Sequence, residues 1–179
     1  AGLAFGYEEA IGYCVDPQAV PDKDGISALA RLLILAAELK AARRGIADRL
    51  DEIARRYGVY ETDQLSVRVG DLKIIKAAMS RLRVHPPTTL AGQQVSVVDL
   101  AQATEQLPAT DALLISGETI KVVVRPSGTE PKLKCYLEVR SLALGTGDLD
   151  AARAAARATL SEIRSEMSAA LGLTTTGTV

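Results

Sequence analysis

The sequence is poor in the side chains from which many enzyme sites are built. It has one histidine, two cysteines and no tryptophan in 179 residues. His85 sits just before Pro86-Pro87 with no nucleophile motif around it, so it reads as a solvated loop residue. A Ser-His-Asp or Cys-His machine has no other histidine to use, and without clustered cysteines a zinc site is disfavoured as well. Cys14 and Cys135 lie far apart with no CxxC spacing. Together with an N-terminus that does not resemble a signal, they lead us to expect a reducing, cytoplasmic setting. Apolar runs such as Leu32 to Ala37 are too short to span a bilayer, so no membrane partner is expected. A single phenylalanine and a net charge of −1 give neither a stacking platform nor a global field for nucleic acid. Any anion recognition must come from a local cluster.

What is present suffices for a core. Apolar residues make up 47% of the chain, enough to fold one or two domains without disulfides or structural metals. LAFGYEEAIGY opens as a short strand running into a carboxylate-bearing loop. Asp24 is a plausible N-cap for ISALARLLILAAELKAARR, whose apolar residues lie nearly all round and predict a largely buried helix. After Gly45, IADRLDEIARRYG reads as a second, amphipathic helix ending at Gly58. Too few strands are present here to close a sheet, so residues 1–58 read as the end of an α/β domain. Residues 59–69, VYETDQLSVRV, are polar and β-prone, and read as a linker or connecting strand that serves as a hinge.

Residues 70–173 read as helix, four strands and helix, an α+β domain with an antiparallel sheet packed by helices. GDLKIIKAAMSRLR supplies the first helix, with Ile74, Ile75, Ala78, Met79 and Leu82 on one side. QVSVVDL, ALLIS, TIKVVVR and KLKCYLEVR are the strand candidates. In the last of these, Leu133, Cys135, Leu137 and Val139 alternate with polar residues, the mark of a half-buried antiparallel strand. A long C-terminal helix follows, and residues 174–179 read as a tail.

Between the last two strands lies RPSGTEPKLKCY. Its residue types suit a phosphate dianion. Arg125 offers a planar fork of donors, and Ser127 and Thr129 offer hydroxyls. Gly128 lets the backbone curl so that successive N–H groups converge. Lys132 and Lys134 add positive charge, while Pro126 and Pro131 stiffen the shoulders. Hydrogen bonds to charged groups contribute roughly 1.5–3 kcal/mol each, so a few of them support anion binding. On residue types alone, a rigid turn in which Arg125 pairs with Glu130 fits equally well.

The seven-residue run RPSGTEP resembles the C-terminal phosphate-binding loop of the α-D-phosphohexomutase superfamily, the phosphoglucomutases and phosphomannomutases. FGYEEAIGY followed by DKDG resembles the superfamily's sugar-binding loop, most like the branch that includes phosphopentomutases. Either motif alone has an ordinary explanation, since paired glutamates near a helix start also favour its dipole. The two occur in the family's order, about a hundred residues apart. The resemblance implies that Arg125, Ser127, Gly128 and Thr129 hold the phosphate that is not transferred, with Lys134 a further basic contact. It implies that Glu8, with Glu9 beside it, binds sugar hydroxyls and that Lys23 reaches a substrate phosphate. Ala10 stands where many members have serine, and no histidine follows the loop, so histidine-based proton transfer is not carried over.

The family's phosphoserine loop and its Asp-x-Asp-x-Asp magnesium loop do not occur in these residues. The resemblance therefore implies a C-terminal fragment, covering the end of a third domain and all of a fourth. No catalytic residue and no metal ligand is expected within it. Mg2+ and a bisphosphorylated sugar are expected of the parent enzyme, and its N-terminal domains and a sugar phosphate are the expected partners. Phosphoryl transfer needs an in-line nucleophile and a metal, so the fragment alone is expected to be inactive. The competing reading is a free-standing module that binds phosphate or a sugar phosphate without catalysis.

Overall fold

The computed structural model describes residues 2–8, 12–102, 108–128, 130–141 and 147–172. The chain divides into two compact units, Ala1–Ile53 and Ala54–Val179.

In the first unit, β1 (Gly6–Glu8) and β2 (Gly12–Cys14) pair antiparallel as a small hairpin. Tyr7 and Tyr13 face each other across it, their ring centroids 5.3 Å apart. Helix α1 (Gly25–Ala41) starts where expected, at Asp24, whose carboxylate accepts from the N–H groups of Ile26 and Ser27. It ends at Ala41, and Arg43 then takes a left-handed φ of 57°. The expectation of burial fails for this helix. Only Leu39 is buried, while Ile26, Leu29, Leu32 and Leu33 are more than half exposed. Apolar residues all round a helix state what it could bury. Whether it does so depends on what packs against it, and the first unit offers little more than β2. Leu3, Phe5 and Tyr7 are also exposed. Helix α2 (Ile46–Tyr57) follows and runs past the division after Ile53; its start is held by Asp48, which accepts from the Gly45 N–H.

The second unit is built on one five-stranded antiparallel sheet. Its strands are β3 (Val59–Arg68), β6 (Ser96–Asp99), β7 (Leu113–Ser116), β8 (Ile120–Pro126) and β9 (Lys132–Ser141), in the order β3-β9-β8-β7-β6. A two-residue hairpin, β4 (Thr89–Leu90) with β5 (Gln93–Gln94), stands apart from it. Helices α3 (Leu72–Val84) and α4 (Leu149–Leu171) supply the other layer. The core is wholly apolar among the described residues. Val122, Val124, Leu133, Cys135 and Leu137 face it from the sheet, and Ile75, Met79, Leu82, Ile163 and Met167 from the helices. Of the expected α3 face only Ile74 is exposed. Helix α4 begins at Asp148, which caps Asp150 and Ala151, and ends at Gly172 with φ 62°.

Of the two readings of residues 59–69, linker or connecting strand, the structure forms a strand over Val59–Arg68. β3 pairs with β9 along its whole length, from Val59 opposite Ser141 to Arg68 opposite Lys132, and it is the fifth strand of the sheet. Its polarity has a cause. Glu61 and Asp63, on the helix-facing side, are neutralised by Arg157 and Arg164 of α4, at 3.2 and 2.7 Å.

A core centred on α4 predicts that Ile163→Ala lowers stability by about 3 kcal/mol, within the usual range for large buried truncations. Leu29→Ala, on the exposed side of α1, should cost less than about 1 kcal/mol. Urea unfolding measures both, and equal losses would contradict the packing described.

Candidate functional site

The antiparallel register of β8 and β9 dictates the loop's geometry. Val124 lies opposite Cys135, both buried, so the next pair, Arg125 opposite Lys134, points to the other face of the sheet. On its far side Lys134 has Ser66 of β3 as neighbour. Two cations thus stand directly across from one another with no acid in the row. Such pairs are destabilising by themselves. Neither side chain makes an ion pair or hydrogen bond among the described residues.

Glu130, the acid within the loop, is committed elsewhere. It accepts from Arg68 at 2.9 Å and from Lys132 at 2.9 Å. The rigid turn held by an Arg125–Glu130 pair is therefore not what forms. Glu130 instead ties the loop's C-terminal shoulder to the edge strand β3, and Lys132, followed by the charges of Arg68 and Lys134, holds its carboxyl below the ordinary glutamate range. The loop is closed by Ser127 N–H donating to the Lys132 carbonyl at 2.8 Å and Lys132 N–H donating to the Glu130 carbonyl at 2.7 Å. Pro131 adds a tie to the edge strand, its carbonyl accepting from Val69 N–H at 2.9 Å.

Gly128 is not among the glycines with positive φ, so its backbone freedom is not what the turn uses. A Cβ there would meet nothing within 4 Å, and the space above the loop is open. Ser127 and Pro126 also line a cavity of about 220 Å³ with Leu72, Ile75 and Lys76 of α3. Thr129 lies outside the described residues.

In the first unit, two of the expected residues meet. Lys23 Nζ donates to Glu8 Oε2 at 2.7 Å. The side chains are 52% and 49% exposed, so the pair adds little to stability and serves mainly to orient both groups. Glu8 raises the Lys23 pKa by hydrogen bonding first and by charge second. Beside Lys23 runs a largely apolar groove of about 580 Å³, lined by Tyr13, Val15, Ala28, Leu29 and Leu32 among others. Glu9 lies outside the described residues.

Two contributors escaped the sequence reading. Arg68 sits in the stretch read as a linker or connecting strand, and only its register opposite Lys132 brings it to the loop. Gly12 lies directly opposite Glu8 and beneath the Lys23 side chain, a position that nothing in the local sequence announces. Cys135 offers no nucleophile, because burial pushes its thiol up to about 12. No three His, Cys, Asp or Glu side chains come together to hold a metal ion among the described residues. No described helix is long and apolar enough to cross a membrane.

A mixed α/β chain with this sheet and a cationic strand-connecting loop has relatives. Residues 19–156 match the family described as phosphoglucomutase/phosphomannomutase, C-terminal domain. Over 142 residues the chain is 44% identical to a probable phosphomannomutase of Haemophilus influenzae, covering 78% of this chain and 29% of the relative. It is 33% identical over 151 residues to a phosphoglucomutase of Staphylococcus haemolyticus, covering 75% and 27%. It is 31% identical over 162 residues to a probable phosphoribomutase of Schizosaccharomyces pombe, covering 79% and 27%. The fold is similar to a crystal structure of the Paramecium phosphoprotein pp63/parafusin in its open form. The TM-score is 0.56 at 17% identity, covering 88% of this chain and 29% of that one. The chain belongs to the phosphoglucomutase/phosphomannomutase family. It spans less than a third of the length of these relatives.

The tie between Glu130 and β3 predicts a pH response. A carboxyl held below its ordinary value contributes stability above that value and loses it as pH falls through the depressed one. Carboxyl 13C NMR should find Glu130 titrating below the ordinary glutamate range, and Lys132→Met should move it back up. A Glu130 that titrates normally in both chains would refute the tie.

Proposed function

We propose that this chain is the substrate-recognition portion of a phosphohexomutase, an enzyme that moves a phosphoryl group between positions of a hexose or pentose phosphate through a bisphosphorylated sugar. Family membership supports the enzyme class. The observation that carries the recognition role is Arg125 standing opposite Lys134, neither in an ion pair among the described residues, with Glu130 reaching Lys134 only through space. A phosphate dianion removes the repulsion between the two cations and gives each a charge-assisted partner.

In this reading the Arg125 guanidinium takes two phosphate oxygens at once. Lys134 places its ammonium on a third, and the Ser127 and Thr129 hydroxyls donate from the loop. Glu130 keeps Arg68 and Lys132 engaged, so the loop holds its shape before the ligand arrives and loses little entropy on binding. Glu8 accepts from sugar hydroxyls. Its Oε2 is bonded to Lys23; its other oxygen has no partner among the described residues and can do so, and the two remaining Lys23 N–H groups can serve a phosphate.

Phosphoryl transfer itself would fall to the N-terminal domains of the parent enzyme, where Mg2+ would neutralise charge on the transferring group. The residues described here do not fit that ion, and no step is assigned to it. The chain alone should therefore bind without turning over.

NMR titration with glucose 1-phosphate, with inorganic phosphate in parallel, tests the phosphate site. Amide shifts should appear at residues 125–134, and Arg125→Ala should weaken the apparent affinity at least about tenfold, the equivalent of one charge-assisted hydrogen bond. Shifts that survive the substitution undiminished would assign the anion to some other place.

A further inference from the structure

We infer that Gly12 is a positioning residue: by carrying no side chain where the DKDG turn crosses the hairpin, it leaves the lane through which Lys23 reaches Glu8. The ammonium and the carboxylate thereby become one recognition unit. The inference deepens the proposed sugar-phosphate role of this hairpin and rests on it for its functional meaning, while the geometry stands by itself.

Glu8 and Gly12 are Cα partners in the β1–β2 ladder, so their side-chain positions share one face of the hairpin. The turn is pinned beside β2 by Asp24 N–H, which donates to the Tyr13 carbonyl at 2.9 Å. Lys23 therefore sets out next to Gly12 and must pass over it to reach Glu8 on the neighbouring strand. An added Cβ at Gly12 would overlap Lys23 Cδ, lie 3.1 Å from Lys23 Cγ and 3.3 Å from Glu8 Cβ. Gly12 has no positive φ, so the backbone does not demand glycine here; the space does.

The obstructed atoms decide the consequence. They belong to the middle of the lysine stem, so the path by which Nζ now reaches Glu8 is the part that must move. An alanine at position 12 is admitted only if Lys23 leaves its present path to the 2.7 Å contact. The hairpin has other support, because Tyr7 and Tyr13 pair on its opposite face. Gly12→Ala should therefore keep the fold and lose the pair. Once the pair is lost, the hydroxyl-accepting oxygen and the phosphate-facing ammonium are no longer held at a fixed separation, and a sugar phosphate would have to order them itself.

Titration of the Lys23 side chain, followed through its methylene 13C resonances in the full chain without ligand, separates positioning from mere structure. Gly12→Ala and Glu8→Gln should each lower the Lys23 pKa toward the ordinary lysine value, and combining them should lower it no further. An unchanged Lys23 titration in Gly12→Ala would overturn the inference. Thermal unfolding gives a second reading should that variant fold poorly. Gly12→Ala should be less favourable to the midpoint when Lys23 is present than in a Lys23→Ala background; equal changes in both backgrounds would also overturn it. Glucose 1-phosphate is then added to the wild-type chain. Silence at Glu8 and Lys23 despite the coupled titration would refute the recognition reading of the hairpin and leave Gly12's positioning role standing.

Discussion

The register between β8 and β9 cannot be changed, and the cationic face of the loop follows from that. A slip of one residue would turn either Val122 and Val124 of β8 or Leu133, Cys135 and Leu137 of β9 from the helix layer to the open face of the sheet. Each fully buried valine or leucine contributes about 1.5–3 kcal/mol. Two like charges opposed across strands cost only about 0.2–1 kcal/mol. The core wins by roughly an order of magnitude, so Arg125 and Lys134 are kept side by side whatever they would prefer. A fold that tolerates such a pair without an ion-pair partner for either cation among the described residues is what the proposed anion site rests on.

The same economy appears around the loop. Glu130 is near enough to the cations to lower their local field, yet it is anchored on Arg68 and Lys132 and leaves Arg125 alone. One acid among four cations both shapes the loop and leaves it positive. In the hairpin of the first unit the acid and base are instead paired, and the space for their contact comes from a missing side chain at position 12. The loop and the hairpin thus show two different electrostatic arrangements, cations opposed in one and an acid paired with a base in the other.

Much of this was legible in the sequence, and the exceptions have causes. The strict alternation of KLKCYLEVR announced β9 because one side of that strand is apolar and the other polar. β3 was obscured because its inward positions 61 and 63 carry carboxylates, neutralised by arginines about a hundred residues later that no local pattern can reveal. Helix α1 misled in the opposite direction, since its apolar surface records a capacity for burial and only Leu39 realises it. The loop's residue types suggested an anion, whereas the placing of Arg125 opposite Lys134 emerges only from strand order. Gly12 needed the register of its own hairpin before its size acquired a meaning.

The most direct test of the central claim compares thermal stability with and without inorganic phosphate for the wild type and for Lys134→Gln. If Arg125 and Lys134 are opposed for the sake of an anion, removing one charge relieves repulsion. The variant should then be at least as stable as the wild type without phosphate and should lose most of the stabilisation that phosphate confers. A variant that is destabilised in the absence of phosphate, yet gains as much from it as the wild type, would contradict the account.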